Sequence, residues 1–240
     1  MKRIATIVLT TAVLTGFAQN TKKTLELPAF TGIYVNSDYT VYLKQTNKQE
    51  VNVEALSDIY QLTEIKVEDG ILMINVDRKP DSPNKSIWAK IDDIKLNPTM
   101  KVMVSMKDVA ELQVNGGGKI ISENSIASGN LSIGVAGNGS MNLDVKGKTL
   151  TTEVSGAGSL QLKGYATTNQ VTVSGSGNLH AFGCELEQAQ VRVTGSGTAE
   201  LNVANELEAY VMGSGSIKHK GNTKKVLRKV YGPGSVDRAY

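Results

Sequence analysis

The chain predicts an all-β fold: a right-handed β-helix, or β-solenoid, of seven glycine-cornered coils preceded by an irregular β half. Three observations carry this. A Gly-x-Gly returns seven times, with first glycines Gly116, Gly137, Gly156, Gly175, Gly195, Gly213 and Gly232, at intervals of 21, 19, 19, 20, 18 and 19 residues. Two positions before each stands a valine: Val114, Val135, Val154, Val173, Val193, Val211 and Val230. Four positions after each stands another apolar residue: Ile120, Met141, Leu160, Leu179, Ala199, Ile217 and Val236. Neighbours of these columns are mostly polar, as Thr172 and Ser174 are around Val173. Each repeat therefore reads as two short strands of period 2 joined at the Gly-x-Gly, one face inward and the other in water. The glycines supply the backbone freedom that a sharp corner needs. Successive coils then stack about 4.8 Å apart, with the valines as an internal ladder.

In chain order, Lys2 and Arg3 precede an apolar run from Ile4 to Phe17, and Gly16-Phe17-Ala18 offers small residues for cleavage. The run is shorter than the roughly 20 residues of a spanning helix, so residues 1–18 read as a secretory signal peptide. Its removal takes Lys2 and Arg3 and lowers the formal charge from +3 to +1. So small a net charge argues against a dedicated nucleic-acid binder. Cys184 is the only cysteine, which excludes an intramolecular disulfide and a thiolate metal cluster. No lipoprotein cysteine follows the signal. The expectation is an exported protein of the periplasm or cell surface, not membrane-spanning, with no cofactor.

Residues 19–29 read as a lead-in, and residues 30–111 as the irregular β half. Alternating apolar runs there are Ile33-Tyr34-Val35, Tyr39 to Leu43, Val51-Asn52-Val53, Ile65-Lys66-Val67, and Ile71 to Val76 after the turn at Asp69-Gly70. Leu56 to Leu62 is the one helical competitor and is too short to stand alone. Residues 78–99, with Pro80, Pro83 and Pro98, read as a loop around Ile87-Trp88-Ala89, with Trp88 covering an end of the core. Val102-Met103-Val104 and Leu112-Gln113-Val114 then lead into the solenoid repeats, 112–240.

The order Phe30-Thr31-Gly32-Ile33-Tyr34-Val35, Gly70-Ile71-Leu72-Met73-Ile74, Val102-Met103-Val104, Leu112 to Gly118 and then repeated Val-x-Val-Ser-Gly-Ser-Gly resembles the putative auto-transporter adhesin head GIN domain family. This is a domain of unknown function common in exported proteins of Bacteroidetes. The resemblance spans roughly residues 30–220 and implies a β-helical fold and a role in adhesion, with no catalytic site to carry over. Met106 stands where the family usually has a proline, which touches only a local turn. Nothing after the seventh corner reads as a membrane barrel, so the expectation is a chain that does not export itself.

The repeats bear on several candidate chemistries. A phosphate-cradling Gly-x-Gly opens a helix, whereas strands follow every copy here. Calcium-binding β-rolls need an aspartate column after the glycines, and that column is apolar in this chain. An enzyme of the pectinase or polysaccharide-lyase kind would need carboxylates converging on one groove. The outward column five residues after the first glycine reads Ile121, Asn142, Gln161, His180, Glu200, Lys218 and Asp237. Its charged members alternate in sign, as a solvated salt ladder does. His180 and His219 fall two coils apart and out of phase, and both read as surface residues. Cys184, beside Gly183, reads as an inert residue of an inter-coil turn.

The remaining feature is a candidate anionic-ligand patch on the last two coils: Lys218, His219, Lys220, Lys224, Lys225, Arg228 and Lys229. Such charge attracts lipid head groups or acidic glycans; the plainer alternative is that it blunts an exposed strand edge. A final solenoid coil leaves its stacking face bare unless something caps it. The expectation is cover by the N-terminal half, by a second molecule in a homo-oligomer, or by a partner. The reading is a non-enzymatic exported adhesin-like or ligand-binding module, presenting a rigid β-face to glycans, lipids or surface proteins. The alternative is a carbohydrate-active β-helix enzyme on an acidic polysaccharide.

Overall fold

A computed structural model describes residues 20–77 and 99–239; the expected signal peptide and Trp88 lie outside the described residues. The chain forms a β-solenoid of about seven turns. Its N-terminal strands are β1 (Asn20–Leu25), β2 (Gly32–Asn36), β3 (Thr40–Gln45), β4 (Glu50–Leu56), β5 (Thr63–Glu68), β6 (Ile71–Val76) and β7 (Met100–Met106), with one short helix, α1 (Ser57–Gln61), between β4 and β5. The repeats supply β8 (Glu111–Gly116), β9 (Lys119–Ser122), β10 (Ile126–Gly137), β11 (Ser140–Gly156), β12 (Ser159–Gly175), β13 (Asn178–Gly195), β14 (Thr198–Gly213), β15 (Ser216–Lys220), β16 (Lys225–Tyr231) and β17 (Ser235–Arg238).

The two-short-strand reading of each repeat needs correction. β11 to β14 are single strands of 16 to 18 residues that run from one Gly-x-Gly to the next. The second corner is a bend that the ladder follows in register from β10 to β12, whereas between β12, β13 and β14 the register shifts near it, at Gln161/Lys163, Ala181/Glu185 and Leu186/Gln188. In β11 the inward residues are Met141, Leu143 and Val145 before the bend and Leu150, Thr152 and Val154 after it. The inward phase changes parity at Lys146 to Thr149, and parallel pairing to β12 continues across it from Val145 to Thr149.

Valine columns lie where period 2 put them. Val114, Val135, Val154, Val173, Val193 and Val211 are fully buried, and they stack in parallel register from coil to coil. Val230, the last of the column, is 40% exposed, because no coil covers it among the described residues. The second column, Ile120 to Val236, is buried throughout.

The glycines are required by close approach between coils. Gly195 has φ +110°, and a Cβ on it would lie 2.6 Å from the Gly175 carbonyl oxygen of the coil below. A Cβ on Gly197 would meet Gly177 O at 2.4 Å and the Val173 side chain at 2.8 Å. Corner backbones bond directly from coil to coil, Ser196 N donating to Gly175 O at 2.9 Å and Thr198 N to Gly177 O at 3.2 Å.

The N-terminal half is threaded out of chain order. β2 lies between β6 and β8, and β3 between β7 and β9, all parallel. The first coil in sequence is thus second in space. Beyond it the pairing turns antiparallel: β5 adds to β6, β4 to β7, and β1 to β4. The lead-in therefore contains a paired strand. α1 occupies the predicted helical stretch and buries Ile59 completely, while Thr63 Oγ1 donates to the Ile59 carbonyl at 2.8 Å and lies 2.9 Å from the Tyr39 hydroxyl. This half closes the N-terminal end of the solenoid and does not reach the last coil, so it is not the cover expected there.

Gly195→Ala is expected to destabilise the fold by about 2 kcal/mol or more, since a left-handed alanine alone costs about 1–2 kcal/mol before the backbone clash. Gly129→Ala, with nothing within 4 Å of the added carbon, should be near neutral. Urea unfolding midpoints of the two variants check this.

Candidate functional site

The predicted basic patch falls on β15, β16 and the turn between them, and the structure sorts its members by face. Lys218 points outward on β15, in register with Glu200 on one side and Asp237 on the other. On the same outward ladder His180 Nδ1 lies 2.8 Å from Glu200 Oε2. Lys220 lies over the Phe182 ring, 5.2 Å from its centroid, and Lys229 over Tyr210 at 5.6 Å. Lys225 is ion-paired to Glu206, and its hydrogen bond to that carboxylate holds its pKa above the usual lysine range. Lys224 is exposed. Arg228 Nη1 donates to the Val236 carbonyl at 3.4 Å.

His219 departs from the surface reading. It sits on the inward column that runs Leu201, His219, Arg238 and is only 6% exposed. Its Nδ1 has no hydrogen-bond partner. Burial, together with the charges of Arg238 and Arg228, lowers its pKa below the ordinary 6.5. It is an end plug of the core and contributes nothing to the outer patch. Cys184 also faces inward, fully buried within β13 opposite Gly164, and burial pushes its thiol up to about 12. It lies in a strand where a turn was expected, and it stays an unreactive thiol.

Sequence reasoning missed the apolar component of this end. Met212, Val226, Leu227, Val230 and Tyr231 are the large hydrophobics exposed among the described residues, and Tyr231 is 63% exposed. All lie on β16 or on the β14 position paired to it. Their alternation looked like that of any other coil, and only the absence of a following coil among the described residues uncovers them. Every residue of β16 is exposed.

Beside this end, around the second corner, a groove of about 380 Å³ is lined by Thr168, Asn169, Gln170, Gln190, Glu206 and Glu208 among others. Gln190 Nε2 donates to Glu208 Oε2 at 3.0 Å, and Gln170 Nε2 to Gln190 Oε1 at 3.5 Å. Behind it, buried Thr152 donates to Asn169 Oδ1 at 3.0 Å. No group of three or more His, Cys, Asp or Glu side chains suited to a metal ion exists among the described residues. Nor is any helix among them long and apolar enough to cross a membrane.

The profile of the family described as "Putative auto-transporter adhesin, head GIN domain" matches residues 29–223. No curated protein matches the chain. Among solved structures, a putative adhesin from Bacteroides fragilis NCTC 9343 superposes with a TM-score of 0.80 at 20% identity, over 92% of this chain and 97% of that one. A putative adhesin from Parabacteroides distasonis ATCC 8503 gives 0.72 at 22% identity, over 93% and 98%. A protein of the same organism described as a putative lipid binding protein gives 0.72 at 19%, over 94% and 98%. At these identities the likeness is one of fold.

Because His219 is held neutral inside the fold, its contribution to stability is fully present above the unfolded pKa near 6.5 and is lost as pH falls toward the lower folded value. His219→Leu, which continues the leucine of Leu201, is expected to flatten this part of the pH profile. It should also raise stability by about 1 kcal/mol by removing an unpartnered buried nitrogen. Denaturant midpoints between pH 8 and pH 5 for both proteins measure the two effects.

Proposed function

The chain belongs to the putative auto-transporter adhesin head GIN domain family, and on that premise we propose that it is a non-enzymatic, exported adhesion module that holds anionic surface ligands at its C-terminal coils. The observation that carries the reading is the outward ladder, in which consecutive coils place side chains on one straight, rigid row. A row fixed by backbone pairing loses little conformational entropy when a partner binds. The contact residues are Lys218, Lys220, Lys224, Lys225, Arg228 and Lys229, without His219. Lys224 is the most available, since Lys225 already shares Glu206 and Lys218 stands between Glu200 and Asp237.

Anionic lipid and acidic glycan share the chemistry that this patch would recognise, and the description of one structural neighbour as a putative lipid binding protein makes lipid the first probe. An enzymatic reading has less support. The carboxylates on the outward ladder alternate with cations, and the groove over Asn169 is shallow and lined mainly by amides and hydroxyls.

Flotation of residues 19–240 with phosphatidylglycerol and phosphatidylcholine vesicles, alongside polygalacturonate binding, tests the proposal. Binding to the anionic probes only is expected. It should weaken with salt and fall by on the order of a hundredfold in Lys218→Ala/Lys224→Ala/Lys229→Ala, at roughly 1 kcal/mol for each of three charges near an anionic surface. Equal binding to the neutral vesicles, or full binding by the triple variant, refutes the patch. Cleavage of polygalacturonate, with or without calcium, would overturn the non-enzymatic assignment.

A further inference from the structure

The two ends of the solenoid differ in kind. One face of the coil runs from β5 through β6, β2 and β8 to β16, so β5 and β16 are its two edges among the described residues. At the C-terminal edge, Val226 and Val230 stand in register with the fully buried Leu207 and Val211. They are core residues with no coil above them. At the N-terminal edge, Ile65 and Val67 stand opposite the fully buried Ile74 and Leu72 and are themselves half-buried. Both edges carry backbone groups that a further strand would satisfy.

We propose that the C-terminal end docks the N-terminal end of a second copy, with β16 of one molecule pairing antiparallel to β5 of the next. Direction permits it: the other strands of this face are mutually parallel and β5 alone is reversed. A second molecule stacked in the same orientation therefore brings β5 against β16 as an antiparallel pair.

Charge selects one register. With Arg228 opposite Ile65 of the second copy, inward residues meet inward residues, Val226 facing Val67 and Val230 facing Thr63. On the outer face Lys225 then faces Glu68, Lys229 faces Glu64, and Leu227 faces Lys66. A slip of two residues in either direction sets Lys225 or Lys229 against Lys66, and like charges directly opposite are destabilising. A slip of one residue turns the apolar face outward.

The competing occupants fit less well. A two-fold ladder of β16 on itself, centred on Leu227, Arg228 or Lys229, sets Lys225 against Lys229, Arg228 against Arg228, or Lys229 against Lys229. A membrane's hydrocarbon leaves the amides and carbonyls of the edge unsatisfied. The cations on β16 thus act as a filter: they discourage pairing with itself or with neutral strands and admit an acidic one. Because the contact joins one end to the other, it repeats, and copies add in an open row.

The experiment is sedimentation velocity of residues 19–240 from micromolar concentration to the highest attainable, at low salt and without added ligand. Mass rising with concentration beyond the monomer is expected. K225E/K229E and E64K/E68K should each associate at least about tenfold more weakly than the natural chain while staying folded at the temperature of the run; their own unfolding temperatures fall somewhat, because K225E loses its pair with Glu206 and E64K/E68K lose theirs with Lys66. An equimolar mixture of the two variants should restore the larger species, because each then meets its opposite charge. A natural chain that stays monomeric throughout overturns the proposal. So does association that neither variant weakens, which places the contact elsewhere, and so does failure of the mixture to recover. Recruitment of a strictly monomeric chain to phosphatidylglycerol vesicles would assign the end to a membrane instead. Loss of vesicle binding alone, with self-association intact, would sink the proposed ligand patch and leave this inference standing.

Discussion

Everything in this molecule depends on how closely one coil can approach the next at the Gly-x-Gly corner. There the backbone of one turn bonds to the glycine carbonyls below it, and positions such as Gly195 and Gly197 leave no room for a methyl group between the layers. That approach brings the valine of each coil directly over the valine of the last, and it restores the parallel register at every Gly-x-Gly even where the ladder shifts near the second corner. The hydrophobic effect holds the interior columns together, but the corner decides that there are columns at all. A corner widened by one side chain would separate both columns that flank it.

The same constraint makes the solenoid a one-dimensional object whose ends are special. At the N-terminal end the chain spends about a third of its length on closure. It inserts its first coil between two later ones, reverses two strands, β4 and β5, and lays α1 over the core with Ile59 buried beneath. At the C-terminal end the last described coil stops with core positions open to solvent. Exposed Arg228 and Arg238 lie beside His219 there, in register with buried Ala209 and with His219 itself, so the last layer carries cations where the layers below carry apolar residues.

The proposed function rests on the outer face and that open end. Ladder geometry places opposite charges on neighbouring coils, as with Glu200 and Lys218, and it makes the sides a regular polar lattice with no deep cleft among the described residues. The cations at the C-terminal end are partly neutralised from below by Glu206 and partly seated over Phe182 and Tyr210. Their side chains are oriented by the coil beneath them, which gives the patch a shape as well as a charge.

From residues alone, the repeat, its period, the two buried columns and the corner role of the glycines were legible, because each is a local pattern of period 2 interrupted at a fixed interval. The N-terminal strands at Ile33, Tyr39, Val51, Ile65 and Ile71 were legible for the same reason. Tertiary structure alone decided their spatial order, because pairing partners separated by tens of residues leave no mark on local alternation: nothing in β2 says that it lies between β6 and β8. It also decided which side of the layer the end residues take. His219 and Val230 obey the repeat as well as any others, and their burial or exposure depends only on whether another coil lies above them.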